Sequence, residues 1–359
     1  MSIGTAVPEN EYQQTDLAKW MHHRLDAKNE RMGRIFRALY QKTKIDVRYS
    51  VLPDFHKNHT TPTLFKTDEA EPKVEERLAI YNQTVLPLAE KAVNACLKNQ
   101  DKNKITHLIT VSCTGMSAPG IEIQLKQKLE LKKNTQTHAV NFVGCYAFFP
   151  ALKMADAFIQ SNPKAKVLIV AVELCTLHFQ NKDSEDHLLS NSLFSDGAAA
   201  CLCSAEPGIG KTLKLKGTDQ LLIPKGEGDM AWNIHSEGFL MKLSSYIPQL
   251  VEVGIKKLIK TLLEPSGMLQ KDITHWAIHP GGRKILEVCE EELNLHKNEL
   301  KASYSTLRNY GNMSAPTILF VLEEMLRTES LLIGERLFTC GFGPGLTLEA
   351  ALFEIEINA

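Results

Sequence analysis

No long apolar run, no dominant sign of charge and no cluster of metal-ligating residues marks this 359-residue sequence. Its apolar stretches fall well short of the ~18 residues that identify a membrane helix. Lys and Arg total 41 against 42 Asp and Glu, a formal net charge of −1, so nothing global draws the chain to nucleic acid or to an acidic membrane surface. The opening M-S-I-G-T-A-V-P-E-N lacks a basic start followed by an apolar core, which argues against a secretory leader. Without one, the 8 cysteines of so long a chain predict reduced thiols and a cytoplasmic location, not a disulfide framework. His56 and His59 lie in the polar, proline-bearing stretch from Pro53 to Pro72, which reads as irregular loop, and no cysteine or carboxylate cluster completes a metal site around them.

What is present is the grammar of an α/β protein. Helical spacing appears over Thr15 to Met21, Asn29 to Lys42 and Glu75 to Lys98. From Ile105 onward, apolar strands such as I-T-H-L-I-T-V-S and K-V-L-I-V-A-V-E alternate with amphipathic helices, which predicts a sheet covered on both faces. A shift to Pro, Gly and Lys over Glu206 to Lys216 marks a junction. Beyond it the pattern returns, with helices over Tyr246 to Leu263, Lys284 to Leu293 and Ser314 to Arg327 among strands. Similar element order on the two sides predicts two related halves, 1–210 and 211–359.

The candidate chemistry centres on N-F-V-G-C-Y-A-F-F-P, where Cys145 falls between a strand ending near Val143 and a helix over Ala151 to Ile159. Free amide donors and the positive end of a helix favour a thiolate there; the alternative is a small apolar core residue. In the second half, H-P-G-G puts His279 at a strand end and R-N-Y-G-N-M-S-A-P puts Asn312 just before a helix, while G-F-G-P-G makes a tight turn whose glycines allow close backbone approach. Singly, these read as a core histidine, a helix cap and a hairpin. Together, cysteine, histidine and asparagine are the parts of thioester chemistry: a nucleophile, an ion-pair partner for it, and donors for an oxyanion. The same trio occurs in papain-like proteases, but their C-G-S-C-W type of signature is absent.

These motifs resemble the type III polyketide synthases, the chalcone synthase-like enzymes of the thiolase fold. The resemblance runs along nearly the whole chain, through I-G-T-A-V-P, G-C-Y-A, L-F-S-D-G-A-A-A, I-H-P-G-G, Y-G-N-M-S and, most specifically, G-F-G-P-G-L-T. It implies a layered αβαβα fold, a homodimer, and acyl-CoA and malonyl-CoA as substrates with no permanently bound cofactor or metal. On this resemblance Cys145 carries the acyl group, His279 keeps the sulfur ionised, and His279 with Asn312 stabilises the enolate left by decarboxylation. Phe194 matches the gatekeeper between tunnel and cavity, and Ser314 adjoins the site. Lys42 matches the basic stretch that meets the coenzyme A phosphates, set in a run with Arg31, Arg34, Arg37 and Lys44; Lys284 lies where the pantetheine arm passes.

Several positions depart from the plant pattern. Met241 replaces a second gatekeeper phenylalanine, His178 and Cys113 replace threonines, and Trp232 stands at a glycine position of the cavity floor. Ala118 stands where a methionine reaches across the dimer, and Phe148 and Phe149 replace a small glycine pair beside the nucleophile. Small Ala118 and flexible Met241 predict a medium or long aliphatic starter giving alkylpyrones or alkylresorcinols. Two alternatives stay open: an initiating ketoacyl synthase that condenses once, and a catalytically silent acyl-CoA-binding relative.

Overall fold

The computed structural model describes residues 1–24, 30–56, 61–66, 70–98, 100–244, 246–296 and 298–358. His59, one of the two loop histidines, lies outside them.

The first half contains β1 (Ser2–Ala6), β2 (Asn10–Gln13), α1 (Gln14–Arg24), α2 (Glu30–Thr43), β3 (Val47–Ser50) and α3 (Val74–Cys96). It continues with β4 (His107–Ser112), α4 (Ile121–Lys128), β5 (Gln136–Asn141), α5 (Phe148–Ser161), β6 (Lys166–Leu174), α6 (Glu185–Leu193) and β7 (Asp196–Ser204). The second half contains β8 (Gly210–Leu222), the hairpin β9 (Met230–His235) and β10 (Gly238–Leu243), α7 (Ile247–Leu263) and β11 (His275–Ile278). It closes with α8 (Arg283–Leu293), α9 (Lys301–Tyr310), α10 (Thr317–Thr328), β12 (Arg336–Gly343) and β13 (Thr347–Asn358).

The strands build two main sheets with the same plan. In the first, ordered β1–β7–β6–β4–β5, β1 is antiparallel to β7, β7 is antiparallel to β6, and β6, β4 and β5 run parallel. In the second, ordered β8–β13–β12–β11, the orientations repeat: antiparallel, antiparallel, parallel. The duplication suggested by element order is therefore present in the strand pairing itself, although the second sheet has no counterpart of β5 among the described residues.

α5 and α10 touch both sheets and form the middle layer; α3 covers the far face of the first sheet and α7 that of the second. This is the αβαβα arrangement. Sequence explains the layering: β6 is buried at every position after Lys166, and the Gly-Ala-Ala-Ala run of β7 lets the middle helices approach closely. A Cβ at Gly197 would lie 2.3 Å from the sulfur of Met313, just ahead of α10.

Three local expectations change. The Pro-, Gly- and Lys-rich junction contains the start of β8, which pairs with β13 from Gly210 to Leu222 around a bulge at Lys216, so tertiary pairing overrides composition there. The cysteine helix begins at Phe148, leaving Cys145 in the turn before it. The Asn312 helix begins at Thr317, not Ser314.

Candidate active site

Cys145 is presented by a turn that only particular residues can make. After β5 the backbone enters the left-handed region at Phe142 (φ 59°) and Gly144 (φ 95°), and Ala147 N–H closes the turn on Gly144 O at 3.0 Å. A side chain at Gly144 would be strained, and its Cβ would lie 2.2 Å from Cδ of Pro344. The G-F-G-P-G turn between β12 and β13 is thus the floor under the cysteine. Gly343 faces the Tyr146 ring and Gly341 the Phe149 ring, with added Cβ atoms at 2.3 and 2.8 Å. That space accommodates Phe148 and Phe149, which are fully buried and meet edge to face at 5.7 Å.

His279 follows β11, anchored by its N–H to Cys340 O at 2.9 Å, and Asn312 precedes α10. Asn312 Nδ2 donates to Gly281 O at 3.2 Å, and its Oδ1 accepts from Ser314 N at 2.8 Å. Cys145, His279 and Asn312, from three distant parts of the chain, line one cavity of about 650 Å³. Phe194, Met241, His178, Cys113, Trp232 and Ser314 line the same cavity, and Lys42 and Lys284 stand at its rim. Ala118 is exposed and forms no part of the wall, and neither do the exposed Arg34 and Arg37. The side chain of Arg31 lies outside the described residues.

The electrostatics differ from the thiolate expectation. Burial pushes the Cys145 thiol up to about 11, against the opposing pull of hydrogen bonds from Ser314 and Asn312. Burial pushes His279 down to about 3, and neither ring nitrogen has a hydrogen-bond partner among the described residues. Desolvation therefore works against the charged form of both groups. The helix end does not override desolvation, because Cys145 lies three residues ahead of α5.

Two departures from the plant pattern also acquire a role that sequence did not reveal. The His178 ring stacks on Phe239 (4.3 Å, 7°); its Nε2 donates to Thr114 O at 2.7 Å and its Nδ1 accepts from Phe239 N at 3.1 Å. Burial holds it neutral, with a pKa of about 3. Trp232 Nε1 donates to Cys113 O at 2.7 Å. Both side chains tie the β9–β10 wall to the end of β4, as well as facing the cavity. Cys113 Sγ in turn accepts from Gly144 N at 3.1 Å, beneath the cysteine turn.

Other neighbours were not anticipated. Cys175 and Thr114 join the wall, and Arg283 and Glu287 the rim. Glu287 pairs with Arg283 at 2.7 Å and Lys284 at 3.6 Å, while Lys42 and Lys44 have no ion pair among the described residues. Glu173, fully buried behind the wall, accepts from Cys113 N and Thr114 Oγ1, and burial raises its pKa to about 7. A carboxylate closing an otherwise apolar strand was the available signal. Among the described residues no group of three or more His, Cys, Asp or Glu is arranged to hold a metal, and no helix is long and apolar enough to cross a membrane.

Residues 1–207 match the chalcone and stilbene synthases, N-terminal domain, and residues 214–355 match the C-terminal domain. The chain is 30% identical to type III polyketide synthase C of Arabidopsis thaliana, covering 98% of this chain and 94% of that protein. It is 28% identical to probable polyketide synthase 1 of Dictyostelium discoideum, of whose length it spans 11%. Among solved structures it resembles the C-terminal type III polyketide synthase domain of Steely1 from Dictyostelium, with TM-score 0.90, 26% identity and 98% of both chains covered. It also resembles 1,3,6,8-tetrahydroxynaphthalene synthase of Streptomyces coelicolor A3(2), with TM-score 0.87, 26% identity, and 100% and 99% of the two chains covered. The duplicated sheets and the cysteine between them define a condensing acyltransferase of the thiolase fold. Within that class the chain belongs to the chalcone and stilbene synthase family, the type III polyketide synthases, which use coenzyme A thioesters without a permanent cofactor.

Proposed function

We propose that this protein loads an acyl group from an acyl-CoA starter onto Cys145, decarboxylates malonyl-CoA, and extends the bound chain repeatedly before cyclisation. The observation that carries this reading is the convergence of Cys145, His279 and Asn312 on one cavity whose rim holds Lys42 and Lys284.

In the loading step the Cys145 proton passes to His279 as the sulfur attacks the thioester carbonyl, so both charges form together and attract one another in a low-dielectric site. The departing coenzyme A sulfur takes that proton from His279. Loss of carbon dioxide from malonyl-CoA leaves an enolate, whose oxygen is met by Asn312 Nδ2 and the His279 ring. The enolate carbon then attacks the Cys145 thioester and expels the sulfur. Release of carbon dioxide drives the carbon–carbon bond forward without ATP, redox cofactor or metal.

The wall residues Phe194, Met241, Leu189, Leu243 and Ile247 are apolar, which favours a medium or long aliphatic starter and an alkylpyrone or alkylresorcinol product. The rim lysines suit the phosphates of coenzyme A. We further propose two halves dividing near residue 210, a homodimer, and a reducing, cytoplasmic setting in keeping with eight free cysteines. The open edge of β5 supports the dimer, since an unpaired edge strand can pair with a second copy.

Incubation with a ladder of acyl-CoA starters and labelled malonyl-CoA, read by product mass, tests the function. Multiply extended, cyclised products from fatty starters are expected. Preference for coumaroyl-CoA over every fatty starter removes the aliphatic assignment, a single uncyclised extension favours an initiating ketoacyl synthase, and a Cys145 that gains no mass from any acyl-CoA favours a silent relative.

A further inference from the structure

The last carbonyls of a helix have no partner within it, and leaving a buried one without a donor costs on the order of 1–3 kcal/mol. At the end of α6 those carbonyls are met by three side chains from the start of the chain, one of them Tyr40, whose hydroxyl donates to Asn191 O at 3.2 Å. Arg48 Nη1, from β3, donates to Asn191 O at 2.6 Å and to Phe194 O at 2.8 Å. Gln14 Nε2, from the first residue of α1, donates to Ser192 O at 2.8 Å. Gln14 Oε1 accepts from Arg48 Nε at 2.8 Å, so the two side chains form a single brace.

Arg48 is only 1% exposed and has no carboxylate within ion-pair distance among the described residues. Its charge is met by those carbonyls and by the faces of Tyr40 and Phe179, each 5.6 Å from the guanidinium carbon. A buried cation at a helix C-terminus also complements the helix dipole. Nη1 serves both carbonyls and Nε holds Gln14, while Nη2 has no partner among the described residues; a lysine has a single nitrogen and cannot occupy the Nη1 and Nε positions at once.

The braced segment leads directly to the site. Asn312 N donates to Leu193 O, and Ser195 N donates to Asn312 O, both at 2.9 Å, so Phe194 and Asn312 lie side by side in an isolated parallel bridge. β3 secures the same segment again, through Tyr49 N to Ser195 Oγ at 2.8 Å. The Arg48 stem also packs under Gly311, where a Cβ would lie 3.0 Å from Arg48 Cγ and 3.0 Å from Leu193 O. Whatever displaces the Arg48 fork therefore displaces the gate side chain and the carboxamide as one unit. The backbones of Cys145 and His279 are held by other parts, the β12–β13 turn and the Cys340 carbonyl, although Asn312 and Ser314 also hydrogen-bond the Cys145 sulfur.

We propose that Arg48, braced by Gln14, is a positioning residue for the decarboxylating half of the site, setting Asn312 and Phe194 without touching substrate. The proposal rests on the synthase function argued above. The test separates two half-reactions: acylation of Cys145, read by intact mass after mixing with a fatty acyl-CoA, and carbon dioxide release from labelled malonyl-CoA. In Arg48→Lys, acylation is expected within about twofold of wild type while decarboxylation falls about 10- to 100-fold, with little change in KM for malonyl-CoA. Gln14→Met, which leaves the Arg48 bonds to the helix end in place, is expected to give the same split at about 3- to 10-fold, and decides the matter should Arg48→Lys fail to fold. Equal losses in both half-reactions, or no loss in either, overturn the positioning role. Wild-type protein inert in both half-reactions overturns the synthase reading and takes this role with it.

Discussion

Burial pushes the Cys145 thiol up and the His279 imidazole down, so desolvation disfavours the charged form of each. Cys145→Ala is expected to abolish acylation, seen as loss of the mass increment, while malonyl-CoA decarboxylation persists. Asn312→Ala is expected to cut carbon dioxide release by about 100-fold, the scale of removing an oxyanion donor; undiminished release would contradict the role given to Asn312. The buried titratable groups also set a pH dependence of opposite signs. His178 has its ordinary value of 6.5 when unfolded and about 3 when folded, so its contribution is complete above 6.5 and is lost as pH falls, by about 1.4 kcal/mol per unit. Glu173 moves from 4.5 to about 7, so its contribution is complete below 4.5 and is lost as pH rises through 7. In denaturant titrations at pH 7 and pH 5, His178→Gln should lose about 2 kcal/mol less than wild type on acidification, and Glu173→Gln should lose more. Equal losses in all three proteins would show that burial does not shift these groups.

At the scale of elements, the cysteine turn and the β12–β13 turn are one unit built from complementary sizes. Phe148 and Phe149 stand where relatives were expected to have small residues, and Gly341 and Gly343 receive the adjoining rings. Gly341→Ala places a Cβ 2.8 Å from Phe149 Cε2, so it is expected to lower stability by about 1–3 kcal/mol. Phe149→Leu should recover part of that loss in the double variant; strictly additive losses, read by denaturant midpoints, would refute the coupling. Sequence periodicity revealed the long elements α3, α7 and β6 because their apolar positions recur regularly. It missed β8 and the β9–β10 hairpin because a polar, partly exposed strand takes its conformation from its partner: Lys214 and Lys216 in β8 are exposed and alternate with Leu213 and Leu215, which turn inward only once β13 is present.

For the whole molecule, the first sheet ends at an open strand, β5, whose residues are all exposed or half-buried. Sedimentation is expected to give about twice the 40.2 kDa chain mass, whereas a monomer at micromolar concentration would leave that edge without the partner proposed here. The layered assembly also turns separate motifs into a site, because the turns carrying Cys145, His279 and Asn312 come together only when the two sheets pack on α5 and α10.

The sequence by itself singled out Cys145, His279 and Asn312 and the α/β grammar, since glycine-marked turns and apolar periods are local properties of the chain, while Phe194, Lys42 and Lys284 were picked out by resemblance to a family; all six line one cavity. Tertiary structure alone decided the desolvation of Cys145 and His279, the use of His178 and Trp232 as ties to the cavity wall, and the bracing of Asn312 by Arg48. Burial and hydrogen-bond partnership depend on neighbours distant in the chain, and desolvation at Cys145 outweighs the local preference that its place before a helix would give it.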